Sequence, residues 1–196
     1  MRRLLTCIAL SALVLPLASR ADGSIQLSVS AGVAKPYGDV GEGLKLSDSI
    51  DWAFPLEGRL AFRVVKQLAV GAYARFAPTT ASSTCPGCTI NDLGLGGLVE
   101  YRFSEKLEGG PWLGLSGGWE QLKTTATGTP AATATGFEGA VSGGADFELG
   151  GLTFGPFAQA SFGEFTKTSV GGQSRSIESK GVHGMFSVGV RLILLM

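Results

Sequence analysis

The chain has 196 residues, with sixteen basic and sixteen acidic side chains, thirty glycines and 9% aromatic residues, which is enough for one domain with a full core. The even charge balance excludes the basic footprint of a nucleic-acid-binding protein. Beyond the N-terminus no stretch reaches the ~18 uncharged apolar residues that a membrane-spanning helix needs.

Residues 1–21 read as a secretory signal. Arg2 and Arg3 precede an apolar run from Leu4 to Ala18, and the small residues Ser19 and Ala21 suit cleavage before Asp22. The run is short and holds Pro16, which argues against a retained helix. Cys7 lies too early, and behind Thr6 rather than a small residue, for a lipoprotein signal. Loss of Arg2, Arg3 and Arg20 leaves a mildly acidic mature chain, residues 22–196, at a net charge of −3.

From there the dominant pattern is alternation with a period of two, repeated eight times, with the charged residues of each strand on one parity. The first strand, Ser24 to Lys35, sets Ile25, Leu27, Val29, Ala31 and Val33 against Gln26, Ser28, Ser30, Gly32 and Ala34. The second, Trp52 to Val64, sets Trp52, Phe54, Leu56, Leu60, Phe62 and Val64 against Glu57, Arg59, Ala61 and Arg63. The third, Leu68 to Ala77, opposes Val70, Ala72, Ala74 and Phe76 to Ala69, Gly71, Tyr73 and Arg75. The fourth, Asp92 to Phe103, opposes Leu93, Leu95, Val99, Tyr101 and Phe103 to Gly94, Gly96, Glu100 and Arg102. The fifth, Pro111 to Leu122, has Leu113, Leu115 and Trp119 on one side and Gly114, Ser116, Gly118 and Glu120 on the other, with Trp112 expected near a rim. In the sixth, Gly136 to Leu149, Phe137, Val141, Phe147 and Leu149 oppose Glu138, Ala140, Ser142, Gly144, Asp146 and Glu148. The seventh, Leu152 to Phe165, opposes Leu152, Phe154, Pro156, Ala158 and Phe162 to Gly155, Phe157, Gln159 and Ser161; Glu164 breaks the rule and is expected above the membrane. The eighth closes the chain, with Phe186, Val188, Val190, Leu192, Leu194 and Met196 against Met185, Ser187, Gly189 and Arg191.

The connections alternate between long and short. Short turns are expected at Val65 to Gln67 and at Gly150 to Gly151; long, mobile loops are expected over residues 36–51, 78–91, 123–135 and 166–182. Bacterial membrane barrels have short periplasmic turns and long outer loops, which puts both termini in the periplasm. The fold class is therefore all-β, an eight-stranded antiparallel up-and-down transmembrane β-barrel. A secreted lipocalin-like barrel would alternate as well, but its water-facing side would carry Lys, Thr and Glu along the strands. Here that side is mostly Gly, Ala and Ser, the mid-strand cations are all Arg, and the seven lysines are assigned to loops, turns and strand ends. Small residues and planar guanidinium forks suit a narrow closed interior. The expected interior polar network is Glu57, Arg59, Arg63, Arg75, Glu100, Arg102, Glu120, Glu138, Asp146, Glu148 and Arg191, and the outward aromatics are expected to form interface girdles.

On this pattern the chain resembles the small outer-membrane β-barrel family, the group that includes the OmpA membrane domain and OmpX. The resemblance spans nearly all of the mature chain and is architectural. In that family the last strand ends in an aromatic residue read by the barrel assembly machinery; Phe186 to Leu194 match the alternation, and Met196 stands in place of the aromatic. The resemblance implies a monomer in contact with lipid and lipopolysaccharide, with no cofactor. Its role would be a structural or surface-interaction scaffold displaying four outer loops of unidentified partner. A narrow porin-like channel and a lipid A-modifying enzyme are the alternatives.

No catalytic or metal site is expected. His183 is the single histidine, and the deacylases built on this scaffold carry a Ser two residues after it, where Met185 stands; with Ser187 on the inward parity, His183 is expected at a rim with a solvent partner. Cys85 and Cys88, in Cys85-Pro86-Gly87-Cys88, are expected to form a local disulfide in the second outer loop. Asp39, Glu42, Asp48 and Asp51 in the first loop lack the spacing of a calcium loop and are expected to be solvated.

Overall fold

The computed structural model describes residues 24–41, 43–104, 109–150 and 152–195. The proposed signal at residues 1–21, Glu42, Lys106, Gly151 and the terminal Met196 lie outside these. In chain order the elements are β1 (Ile25–Gly41), β2 (Leu44–Lys45), α1 (Leu46–Ser49), β3 (Ile50–Ala53), β4 (Leu56–Val65), β5 (Leu68–Ala81), β6 (Cys88–Arg102), β7 (Gly110–Ala126), β8 (Ala132–Leu149), β9 (Leu152–Val170), β10 (Gln173–Ser176) and β11 (His183–Leu195). All the pairings are antiparallel, and each long strand pairs with its neighbours in sequence. The ring closes where β1 meets β11, from Gln26 opposite Leu195 to Gly38 opposite His183. Eight staves result, because β3 and β4 together make one. Proline has no N–H to give a ladder, and the stave breaks at Phe54 and Pro55. The ladder is held across the break by Phe54 N donating to Pro78 O at 2.9 Å and Gly32 N donating to Pro55 O at 3.1 Å.

Alternation decides the faces. Leu56, Leu60, Val99, Leu115, Val141, Val190 and Leu192 point outward and are exposed in the isolated chain, while Glu57, Arg59, Glu100, Arg102, Ser142 and Arg191 point inward and are buried. Outward aromatics gather in two belts. Tyr101, Phe103, Phe147 and Phe154 ring the end with the short turns, and Trp52, Phe54, Phe76, Phe137, Phe162 and Phe186 ring the other. Eight residues separate Phe103 from Leu95, the cross-strand partner of Trp119, which at ~3.3 Å per residue and a tilt of ~40° spans roughly 20 Å, close to the lipid-facing band of a membrane barrel.

An eight-stranded barrel must coil tightly to close, and glycines at inward positions permit it. A Cβ on Gly189 would lie 2.7 Å from the Cα of Gly32 on the adjoining strand and 2.8 Å from the Phe157 ring; one on Gly96 would lie 2.7 Å from both Gly118 Cα and the Tyr73 ring.

Several expectations are corrected. The strands run well past their expected ends: β9 has nineteen residues and β8 eighteen, against the ~9–11 that cross a bilayer. Most of the segments expected as long mobile loops are therefore strand. Above the lipid both faces of a strand can be polar, so the ladder continues through Lys123, Thr133 and Lys167 after the apolar alternation has stopped. Lys35 likewise sits within β1, facing outward, with its ammonium 2.8 Å from Asp51 Oδ1 and 4.6 Å from the centre of the Trp52 ring. Val64, expected outward, is buried, because the β4–β5 register shifts between Arg63 and Val65 and turns it inward.

The face assignment predicts that Leu60→Arg or Val141→Arg places a cation against mid-bilayer lipid and costs roughly 2–4 kcal/mol. Urea titration of the barrel in lipid vesicles, read by heat-dependent gel mobility, should show a clearly lowered midpoint; an unchanged midpoint would refute the outward placement.

Candidate functional site

Inward side chains fill the lumen in tiers. Nearest the turn end, Arg191 from β11 meets two carboxylates: its Nε donates to Asp146 Oδ1 at 2.8 Å, its Nη2 to Asp146 Oδ2 at 2.5 Å and its Nη1 to Glu100 Oε2 at 2.6 Å. Arg102 adds Nε to Glu100 Oε1 at 3.2 Å and Nη2 near Asp146 Oδ2 at 2.8 Å. The Trp112 ring lies 3.5 Å from the Arg191 guanidinium carbon, and Arg63 donates to Gln26 Oε1 at 2.8 Å and to Lys66 O at 3.0 Å. Arg59 pairs with Glu57 and donates to Gln159 Oε1 at 3.3 Å. Four guanidinium groups thus share this tier with Glu57, Glu100 and Asp146. Planar forks suit such sharing, because each can serve two carboxylates at once.

A second tier lies above it. Arg75 from β5 holds Asp92 Oδ2 at 2.7 Å and Glu138 Oε2 at 2.8 Å, with Glu120 Oε1 at 3.9 Å; Tyr73 donates to Glu138 Oε1 at 3.2 Å. His183 Nε2 lies 2.9 Å from Glu120 Oε2, and its ring stacks on Phe165 with centroids 3.9 Å apart. Carboxylates outnumber guanidinium groups here by three to one, whereas in the tier below four guanidinium groups face three carboxylates. Among the described residues no group of three His, Cys, Asp or Glu side chains is disposed to hold a metal.

Above the charged tiers comes an apolar one. Ala34, Leu46, Ile50, Ala53, Ala77, Ile90 and Met185 form one buried cluster, with Val40, Cys88 and Leu122 packed against it. Leu46 belongs to the four-residue helix α1, which the first connection folds inward across the mouth. This packing covers one side of the lumen. The other side stays open as a cavity of about 670 Å³, walled by Val40, Leu44, Leu122, Thr124, Ala132, Ala134, Thr168 and the β10 arm, with Leu46 and Phe165 at its base.

Of the residues expected in the interior network, Glu57, Arg59, Arg63, Arg75, Glu100, Arg102, Glu120, Glu138, Asp146 and Arg191 lie buried in the two tiers. Glu148 does not: it is exposed beside the β8–β9 turn, where the strand has run past the closed lumen and the inward side meets water. Trp112 is not at a rim but 2% exposed and enclosed, because Arg191 covers its face. His183 is not at a rim with a solvent partner but 1% exposed, because the flanking strands β1 and β9 extend beyond it and Glu120 takes its Nε2. Ser187 is buried on the same inward side. Cys85 and Cys88 are joined by a disulfide, with Cα atoms 5.6 Å apart, at the turn between β5 and β6.

Asp92, Gln26 and Gln159 were missed as network members. Asp92 shares its parity with Glu100 and Arg102, so the signal was present in the pattern. The cavity has no sequence signal, because apart from Leu122 and Phe165 its wall comes from segments that the sequence predicts as loops.

No family model matches the chain, and no curated protein matches its sequence. Solved structures do match in fold. Neisserial surface protein A aligns with a TM-score of 0.58 at 14% identity, over 87% of this chain and 98% of that one. Outer membrane protein AlkL, solved in lipid bilayers, aligns with a TM-score of 0.51 at 15% identity, over 90% and 92%.

Removal of Arg191 would leave Glu100 and Asp146 underpaired in the closed lumen. Arg191→Ala is expected to cost roughly 3–5 kcal/mol, seen as a lowered urea midpoint, with Arg191→Lys intermediate because an ammonium cannot reproduce the fork. Equal midpoints for all three proteins would show that the network does not carry stability.

Proposed function

From the fold of the small eight-stranded outer-membrane barrels, we propose that this chain sits in the outer membrane as a non-enzymatic, non-conducting scaffold whose working surface is its loop end. On this reading residues 1–21 direct export, and the short turns and both termini lie in the periplasm. The strand extensions stand out beyond the lipopolysaccharide headgroups, and the barrel is inserted as a monomer by the assembly machinery.

The observation that carries the reading is the filled lumen. An eight-stranded barrel has room for little more than its own side chains, and here Trp112, Arg63, Arg102, Arg191, Glu100, Asp92, His183 and Phe165 are all nearly inaccessible to solvent. A through-path would have to break both charged tiers, each tied by ion pairs between different strands. Nor does the buried His183 offer its Nε2 to a lipid or a water nucleophile, since Glu120 holds it. What remains accessible is the cavity and the rim around it.

Two measurements test this. Purified barrel in planar bilayers should give no stepwise conductance, and regular steps would move the chain to the channel reading. Deletion of the gene should leave the lipid A mass spectrum unchanged, and a gained or lost acyl chain would make it an enzyme.

A further inference from the structure

The cavity at the loop end has the build of a receptor for a small molecule. We infer that it is a closed-ended well that takes one uncharged, mainly apolar compound from the aqueous side; this rests on the proposal that the loop end faces outward.

Its volume of about 670 Å³ falls within the ~300–1,000 Å³ of small-molecule sites. Strand extensions of β1, β7, β8 and β9 supply about half of the wall as hydrogen-bonded sheet, and the connection that carries Leu44 and Leu46, with the β10 arm, completes it. Leu46, Leu122 and Phe165 give it an apolar lining, broken by hydroxyls of Thr124 and Thr168. Leu122 pairs with Ala134 three residues beyond Trp119, which is opposite Phe137 in the aromatic belt. The well therefore lies beyond the lipid, and its apolar lining borders water, where removal of apolar surface is favourable.

Charge selects the ligand class. The charged side chains at the well, Arg175 and Glu178, are both exposed at the rim on and just after β10, and one is of each sign. A ligand charge buried below them would meet no counter-charge, and burial of an unpaired charge is costly. One or two hydrogen-bonding groups could be met by the threonine hydroxyls.

The base is shut. Phe165 is 2% exposed and is backed by its stack on His183, which Glu120 anchors in turn. A molecule that enters must leave by the same mouth, so the well captures and does not conduct.

The test uses the whole mature barrel in lipid nanodiscs and two photoactivatable diazirine probes of equal chain length, an alkanol and the matching carboxylate. Labelled residues are mapped by mass spectrometry. The inference expects the alkanol to label Leu122, Thr124 or Phe165, to be competed by unlabelled alkanol, and to label about tenfold less, ~1.4 kcal/mol of binding, in Ala134→Phe, which fills the well. Leu122→Phe serves the same purpose should that variant fail to fold, with retention of the heat-dependent gel shift as the criterion of folding. Label confined to lipid-facing Leu115 and Phe137, or unchanged in the filled variants, would overturn the inference. Stronger labelling by the carboxylate would overturn its charge preference. A changed lipid A in the earlier assay, with the well still labelled, would instead overturn only the scaffold reading, whereas regular conductance steps would overturn the closed base of the well together with it.

Discussion

Every peptide group that crosses a bilayer must find its hydrogen-bond partner within the protein, because the hydrocarbon offers none. For this chain that requirement is met by closing β1 on β11, so that among the described residues the ring of eight staves has a partner on both sides of each. The break at Pro55 shows how strict the requirement is. The stave loses a donor there, yet Phe54 and Pro55 still engage the strands on either side.

Closure in turn dictates the interior. Eight strands enclose a narrow lumen, and the tight coiling brings backbones so close that Gly189 and Gly96 have no room for a Cβ. What space is left must be filled with groups that satisfy one another. Arginine meets that need better than lysine: one Arg191 side chain serves Asp146 and Glu100 together while its planar group lies against Trp112. The two tiers are unevenly charged, richer in guanidinium groups toward the turn end and richer in carboxylates toward the loop end. They lock strands distant in sequence to one another, β5 to β8 through Arg75 and Glu138, and β6 to β11 through Glu100 and Arg191.

The same ladder that closes the barrel also makes the well. Strand pairing does not stop at the aromatic belt, because a ladder already started by its neighbours continues to gain from each added bond in water, though less per bond than in hydrocarbon. Continued upward, the wall encloses a space too wide for the side chains it carries on one side, while helix α1 fills the other with Leu46. The apolar cluster on one side, and Phe165 at the base of the well on the other, keep water from the ion pairs below, where a lower dielectric strengthens them.

The sequence by itself determined the class of fold and the direction of nearly every side chain, since a period of two allows only two faces and lipid on one of them sorts apolar from polar residues. That sorting placed Arg59, Glu100 and Arg191 inside and Leu60, Val141 and Phe186 outside, and it was sufficient for Asp92 as well. Where lipid no longer bears on the outer face the sorting fades, and there the tertiary structure decided: that residues such as Lys123, Thr133 and Lys167 continue the strands, that Glu148 lies beyond the closed lumen, and that His183 is roofed by Phe165. The partners within the network were likewise beyond the sequence. Which carboxylate meets which arginine depends on the stagger of eight strands around the ring, a property of the closed barrel that no single strand carries.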